Sequence, residues 1–137
     1  MSRGSKDQTV KDGIRLWKMI YASVFLIGGE STMTFMGNEF GHPEWIEFPT
    51  THNGYSYNYC RRLWHLSSDV NLQFNDMLQF SINLNMFIND NGSLMFESYP
   101  EVDSCSQYTF IVKRGKYKIE ADFDKLVFNV NGRSIID

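Results

Sequence analysis

The sequence predicts an α/β chain: a helix, a short strand running into a loop dense in functional groups, a second helix, and then an antiparallel β-region. Three observations carry that prediction. Apolar residues recur at three- and four-residue spacing in residues 10–27 and again in 69–89, the period of an amphipathic helix. Residues 32–36 (Thr-Met-Thr-Phe-Met) form a β-prone run that leads straight into Gly37. From Tyr117 to Phe123, apolar and charged residues alternate one for one, as on a strand with one buried face and one wet face.

The first helix is expected over residues 10–27, with Thr9 as its cap and Asp12 three positions further on. Ile14, Trp17, Ile20 or Tyr21, and Val24 make its stripe, and its nearly all-apolar second half suits a helix covered on most sides. Gly28-Gly29 ends it, and the strand at 32–36 opens into the turn-rich segment 37–45. Residues 45–66 show no sustained period and read as a long ordered loop containing Pro49, Asn53-Gly54, the tyrosines 55, 57 and 59, and Arg61-Arg62. The second helix, 69–89, places Phe74, Met77, Leu78, Phe80, Leu84, Phe87 and Ile88 at helical spacing and is expected to stop at Asp90-Asn91-Gly92. Strands are then expected at 94–99, 108–113, 117–123 and 126–130. The Lys113-Arg114-Gly115-Lys116 cluster reads as a hairpin tip whose charges keep the strands soluble. The closing Ser134-Ile135-Ile136-Asp137 leaves an apolar pair without a finishing turn, so the sheet is expected to be incomplete.

Length and composition narrow the function. The 137 residues, 42% apolar and 15% aromatic, are enough for one domain or one domain plus part of another, and are too apolar for a disordered chain. With 13 Lys and Arg against 16 Asp and Glu, the net charge of −3 offers nothing to nucleic acid or to an anionic membrane, so neither is expected as a partner. The longest apolar run, 19–29, is broken by Tyr21 and Ser23 and falls short of the roughly 20 residues a membrane span needs. Cys60 and Cys105 stand alone in different segments, and residues 1–8 are polar without a signal-like apolar run, so a reduced cytoplasmic setting is expected.

Chemistry concentrates in one place. Asn38, Glu39, His42, Glu44 and Trp45 follow the strand within nine positions, where parallel α/β folds usually place binding groups. Two readings stay open for the carboxylates: Glu39 and Glu44 act as an acid–base pair on a glycosidic bond, or Glu39 and Asn38 simply bond backbone groups in a glycine-bounded turn. Trp45 likewise suits a stacking platform for a sugar or a core position. His42, His52, His65 and Cys60 lack the paired spacing of a zinc site, so no metal is expected.

The run Thr34-Phe35-Met36-Gly37-Asn38-Glu39-Phe40-Gly41-His42-Pro43-Glu44-Trp45-Ile46-Glu47-Phe48-Pro49 closely resembles the end of the catalytic barrel of eukaryotic glycogen and starch branching enzymes. The likeness extends upstream through residues 13–20 and Gly28-Gly29-Glu30, and downstream through residues 53–57 and 61–66, with a weaker continuation over 118–130. It implies the last strand and helices of a (β/α)8 barrel in residues 1–92, followed in 93–137 by the opening antiparallel strands of a C-terminal β-sandwich. It further implies an enzyme that cuts α-1,4-glucan, holds it as a covalent glucosyl intermediate on an aspartate, and passes it to a 6-hydroxyl without metal or organic cofactor.

The family's nucleophile, acid/base and third carboxylate lie at the ends of earlier strands, and no position here matches them. The string Ser5-Lys6-Asp7-Gln8 is only superficially similar to the segment around the third carboxylate. The resemblance carries over binding positions alone: Asn38, Glu39, His42, Glu44, Trp45, Tyr55, Tyr57 and Arg61, with an α-1,4-glucan as ligand and the rest of the barrel as the partner that completes the fold. The expectation is therefore a branching-enzyme fragment inactive by itself. The alternatives are a non-catalytic glucan-binding or interaction module, and a small hydrolase using Glu39 and Glu44.

Overall fold

The computed structural model describes residues 7–29 and 31–137, with the backbone alone for 93–96. The N-terminal residues 1–6 and Glu30, which belong to the polar leader and to the resemblance, lie outside the described residues. Two units form, one of Met33–Ser81 and one of Lys6–Thr32 with Ile82–Asp137.

In the second unit, helix α1 spans Gln8–Ile27. Its cap is Asp7 rather than Thr9: the Asp7 carboxylate accepts the Thr9 N–H at 3.0 Å, and Thr9 is already helical. An acceptor two residues ahead of a free backbone donor is what a helix start requires, and Asp7 is the residue in that position. Gly28 closes the helix and Gly29 takes φ 99°, as the glycine pair predicts. Met19, Tyr21, Ala22 and Leu26 are buried, whereas Ile20 and Val24 are 52% and 49% exposed. The inward face is thus rotated from the predicted stripe: Tyr21 belongs to it, Ile20 and Val24 do not, and the second half is covered on one side only.

The same unit holds a five-stranded antiparallel sheet in sequence order: β1 Glu101–Cys105, β2 Thr109–Arg114, β3 Tyr117–Asp122, β4 Val127–Val130 and β5 Arg133–Ser134. The alternation read in β3 is observed, with Tyr117, Ile119 and Ala121 buried. Val112, Phe128 and Val130 join them, each such side chain contributing about 1.5–3 kcal/mol when fully buried. Strands β2, β3 and β4 lie within a residue or so of their predicted limits. The first strand does not: residues 94–96 are helical, and β1 begins after Pro100 in a segment of low β propensity. Pairing with β2, through a register shift between Val102 and Ser104, makes it a strand. The tail also differs from expectation. Asn131 and Gly132, with φ 49° and 76°, make the two-residue hairpin turn that produces β5, and Ile136 is buried with its carbonyl accepting Lys18 Nζ at 2.9 Å.

Arg114 is a further correction. It is 2% exposed rather than solvated at the hairpin tip; its guanidinium donates to the Leu26 and Gly29 carbonyls at 2.8 and 2.9 Å, just where α1 ends. Arginine is tolerated there because carbonyls left free at a helix C-terminus attract a cation. Burial pushes its pKa below the usual value.

Helix α3 runs Gln73–Phe96, through the predicted stop at Asp90-Asn91-Gly92. Gly92 allows termination but does not compel it. Asn91 instead bonds along the helix to the Phe87 carbonyl at 2.8 Å and accepts the Tyr117 hydroxyl at 2.7 Å, tying that turn to the sheet. Among the described residues no helix is long and apolar enough to cross a membrane.

The unit of Met33–Ser81 contains a 3-10 turn at Asn38–Phe40, another at Thr51–Asn53, the short helix α2 at Trp64–Ser68, and the start of α3, where Phe74, Met77 and Phe80 are buried. Residues 32–35 form no strand: they lie outside every ladder, and residue 36 enters a turn. A strand is completed by a hydrogen-bonded neighbour, and the five strands described pair only among themselves. The rest of 45–66 is ordered loop, as its lack of period predicts.

Candidate functional site

Residues 37–45 fold as a tight loop whose backbone bonds are mostly internal. Gly37 and Gly41 flank the 3-10 turn at φ 91° and 66°. The Gly37 carbonyl accepts from Phe40 and His42 N–H at 3.1 and 3.0 Å. A Cβ on Gly37 would lie 2.5 Å from the His42 Cβ, so only glycine fits.

Glu39 is held from two sides. One carboxylate oxygen accepts the Gly37 N–H at 2.9 Å and the other the Arg62 guanidinium at 3.1 Å, while Ser81 Oγ donates to the Glu39 carbonyl at 2.6 Å. This is the turn-bonding arrangement that glycine-bounded spacing suggested for Glu39. Arg62 also lies 5.0 Å over the Trp64 ring, and Trp64 packs on the fully buried Phe40. A carboxylate engaged in this way positions a loop and is poorly placed to deliver a proton to a bond outside it.

His42 is oriented with equal definition. The Leu63 N–H donates to its Nε2 at 3.1 Å, and its Nδ1 faces Glu44, 3.0 Å from the carbonyl oxygen and 3.3 Å from the N–H. The ring therefore clasps the two sides of the loop and packs T-shaped against Phe40. With Glu39 and His42 bonded inward, Asn38, Glu44 and Trp45 are left facing solvent.

Trp45 is 83% exposed, unlike a core indole. It forms, with Glu44, Glu47 and Tyr59, a shallow open groove of about 330 Å³. The two walls are joined by the Glu47 N–H, which donates to the Tyr59 carbonyl at 3.1 Å. Tyr55, Tyr57 and Arg61 are exposed on the adjoining loop, outside the groove lining. Glu47 and Tyr59 were not among the residues that the sequence singles out as binding groups. Their signal was faint: Glu47 sits two residues beyond Trp45, and Tyr59 is the last of three tyrosines at alternating positions. His52 lies in the second 3-10 turn and His65 in α2; no group of three or more His, Cys, Asp and Glu able to hold a metal occurs among the described residues.

Such a groove can bind a polyhydroxylated ring. Aromatic faces stack on the C–H surface of a sugar, and flanking carboxylates accept its hydroxyl protons.

No protein-family model matches the chain. It is 32% identical, over 91% of its length, to the chloroplastic/amyloplastic 1,4-alpha-glucan-branching enzyme of Oryza sativa subsp. japonica, of which it covers 18%. It is 47% identical to the 1,4-alpha-glucan-branching enzyme of Solanum tuberosum over 56% of the chain and 9% of that protein. The corresponding enzyme of Saccharomyces cerevisiae is 47% identical over 50% of the chain and 10% of its own length. The chain spans less than a fifth of the length of these curated relatives.

Proposed function

The chain is related to the 1,4-alpha-glucan-branching enzymes over a part of their length, and on that footing we propose that it supplies one wall of the glucan-binding cleft of such an enzyme without supplying its catalytic groups. The enzyme as a whole would transfer α-1,4-glucan segments to a 6-hydroxyl, forming α-1,6 branches. One observation carries the reading for this stretch: the groove lined by Trp45, Tyr59, Glu44 and Glu47. Double displacement needs a free carboxylate nucleophile and a carboxylic acid on opposite sides of the scissile bond. Glu39 is engaged by Gly37 and Arg62, which takes it out of such a pair.

The reading places residues 1–92 at the close of a (β/α)8 barrel and 93–137 at the start of a β-sandwich. The antiparallel order of the five strands supports the second assignment. The exposed Leu16, Ile20 and Val24 on α1 support the first, since packed neighbours in a barrel would cover them.

The test is calorimetric titration of the 137-residue chain with maltoheptaose, paired with an assay for new α-1,6 linkages in amylose. Saturable binding is expected, weakened about 3- to 10-fold by Trp45→Ala, the range for loss of one aromatic stack. No new branches are expected. A folded chain that binds no glucan, or an unaltered affinity in Trp45→Ala, would refute the cleft reading; branch formation would refute the absence of catalytic groups.

A further inference from the structure

The chain contains three Asn-Gly pairs, Asn53-Gly54, Asn91-Gly92 and Asn131-Gly132, and the fold holds one of them differently from the other two. In such a pair the glycine backbone nitrogen can attack the asparagine side-chain carbonyl carbon, because no Cβ on the glycine blocks the approach. Two nitrogens then have to be available. The glycine nitrogen is the nucleophile, and the asparagine amide nitrogen is the leaving group.

In two of the pairs both nitrogens are taken. Asn53 Nδ2 donates to the Phe48 carbonyl at 3.0 Å, and the Gly54 N–H to the Thr51 carbonyl at 3.4 Å. Asn91 Nδ2 donates to the Phe87 carbonyl at 2.8 Å, and Gly92 lies within α3, whose backbone donors the helix ladder uses. Asn131-Gly132 is the exception. Both residues are exposed in the turn between β4 and β5, and neither the Asn131 amide nitrogen nor the Gly132 N–H has a partner among the described residues. A Cβ built on Gly132 would meet nothing within 4 Å, so the space around it is open. The one side-chain bond that Asn131 makes favours the attack: its Oδ1 accepts the Lys118 N–H at 2.7 Å, a donor at the oxygen on which negative charge develops. Strand β5 is only Arg133–Ser134, so little pairing resists the opening of the turn that brings nitrogen to carbon.

We propose that Asn131-Gly132 is a self-modification site, at which the chain deamidates without an enzyme and so releases its own C-terminal tail from α1. The Gly132 nitrogen bonds to Asn131 Cγ and gives up its proton, the Cγ–Nδ2 bond breaks, and Nδ2 leaves as ammonia, closing a cyclic imide. Water then adds to either imide carbonyl and yields aspartate or isoaspartate, so the net change is one water taken up for one ammonia lost. Isoaspartate routes the main chain through the former side chain and adds a methylene to a two-residue turn, and loop length is what sets hairpin register. The strand after that turn carries the tail. The Ile135 N–H donates to the Phe128 carbonyl at 3.2 Å, Ile136 is buried with its carbonyl on Lys18, and Asp137 pairs with Arg15 at 3.1 Å. None of this depends on the glucan reading.

The experiment incubates the 137-residue chain at neutral pH, folded and in urea, and follows each Asn-Gly peptide by mass and by labelling with an isoaspartyl methyltransferase. In the folded chain the Asn131 peptide is expected to convert at least about 10-fold faster than those of Asn53 and Asn91, which must first lose the hydrogen bonds on both nitrogens. In urea all three should convert at similar rates. Asn53 or Asn91 converting as fast as Asn131 in the folded chain, or Asn131 converting only in urea, overturns the proposal. The isoaspartate fraction, separated from the parent, is expected to melt lower, whereas Asn131→Asp, which keeps the turn length and an acceptor for the Lys118 N–H, should melt close to the parent. An isoaspartate fraction that melts with the parent overturns the release of the tail. So does Asn131→Asp melting as low as that fraction, since the new charge and not the longer turn would then be the cause.

Discussion

Replacing Arg114 with methionine removes the clasp between the end of β2 and the end of α1 while keeping most of the aliphatic stem. The guanidinium makes charge-assisted bonds of 2.8 and 2.9 Å to the carbonyls of Leu26 and Gly29, at a side chain only 2% exposed. Bonds of this type are worth about 1.5–3 kcal/mol each, and the helix C-terminus adds about 0.3–1 kcal/mol for a cation. Against that stands the desolvation of the guanidinium, which the substitution relieves. Many buried charges can be exchanged for apolar groups at little cost, but only when both partners are exchanged. Here the acceptors are backbone carbonyls, which stay in place and lose their donors. We expect a net loss of about 2–4 kcal/mol, read from urea denaturation followed by circular dichroism. Arg114→Lys should lose about half as much, since one ammonium cannot span both carbonyls as the planar fork does. An Arg114→Met chain within about 0.5 kcal/mol of the parent would refute the clasp, showing that water reaches those carbonyls or that α1 ends independently of the sheet.

Two further perturbations test other parts of the structure. Gly37→Ala should destabilise by about 2 kcal/mol or more, combining the penalty of a left-handed alanine with a Cβ forced against His42; a melting temperature equal to the parent's would mean the loop is not built as described. The Asp122 carboxyl is held below its usual 3.8, first by the hydrogen bond from the Lys125 side chain and then by the Lys125 backbone N–H. A depressed folded-state value means that the unfolded chain takes up the proton more readily. The contribution is therefore present above 3.8 and is lost as pH falls through the folded value. Asp122→Asn should flatten the loss of melting temperature below about pH 4, and an unchanged acid limb would remove Asp122 from the list of contributors.

Most of the regular structure was legible locally. Helix α1, the body of α3 and strands β2 to β4 follow from apolar periods of 3.6 and 2, which express a single boundary between core and water along one element. The Glu39 turn was legible for a similar reason, because a carboxylate two residues after a left-handed glycine can reach that glycine's N–H. The apolar period does not mark Asp7 as a cap, because it starts later, at Ile14, and the helix extends ahead of its own stripe.

The sequence by itself determined which segments would be amphipathic, where the loop chemistry would concentrate, and, through a contiguous motif, which enzymes the chain would resemble. Each of these rests on residues within a few positions of one another. The tertiary structure decided what depends on distant partners. Tyr117 and Phe87 keep Asn91-Gly92 within α3, although the local signal is a stop. The end of α1 draws Arg114 inward from a hairpin tip that reads as solvated. Pairing with β2 makes a strand of Glu101–Cys105, while residues 32–35, more β-prone, have no ladder to join. The groove itself brings Tyr59 to Trp45 across fourteen positions of chain through a backbone bond from Glu47. Propensities differ by about 1 kcal/mol, whereas a satisfied buried polar group or a completed ladder is worth more than that in total; where the two disagree, the partner prevails.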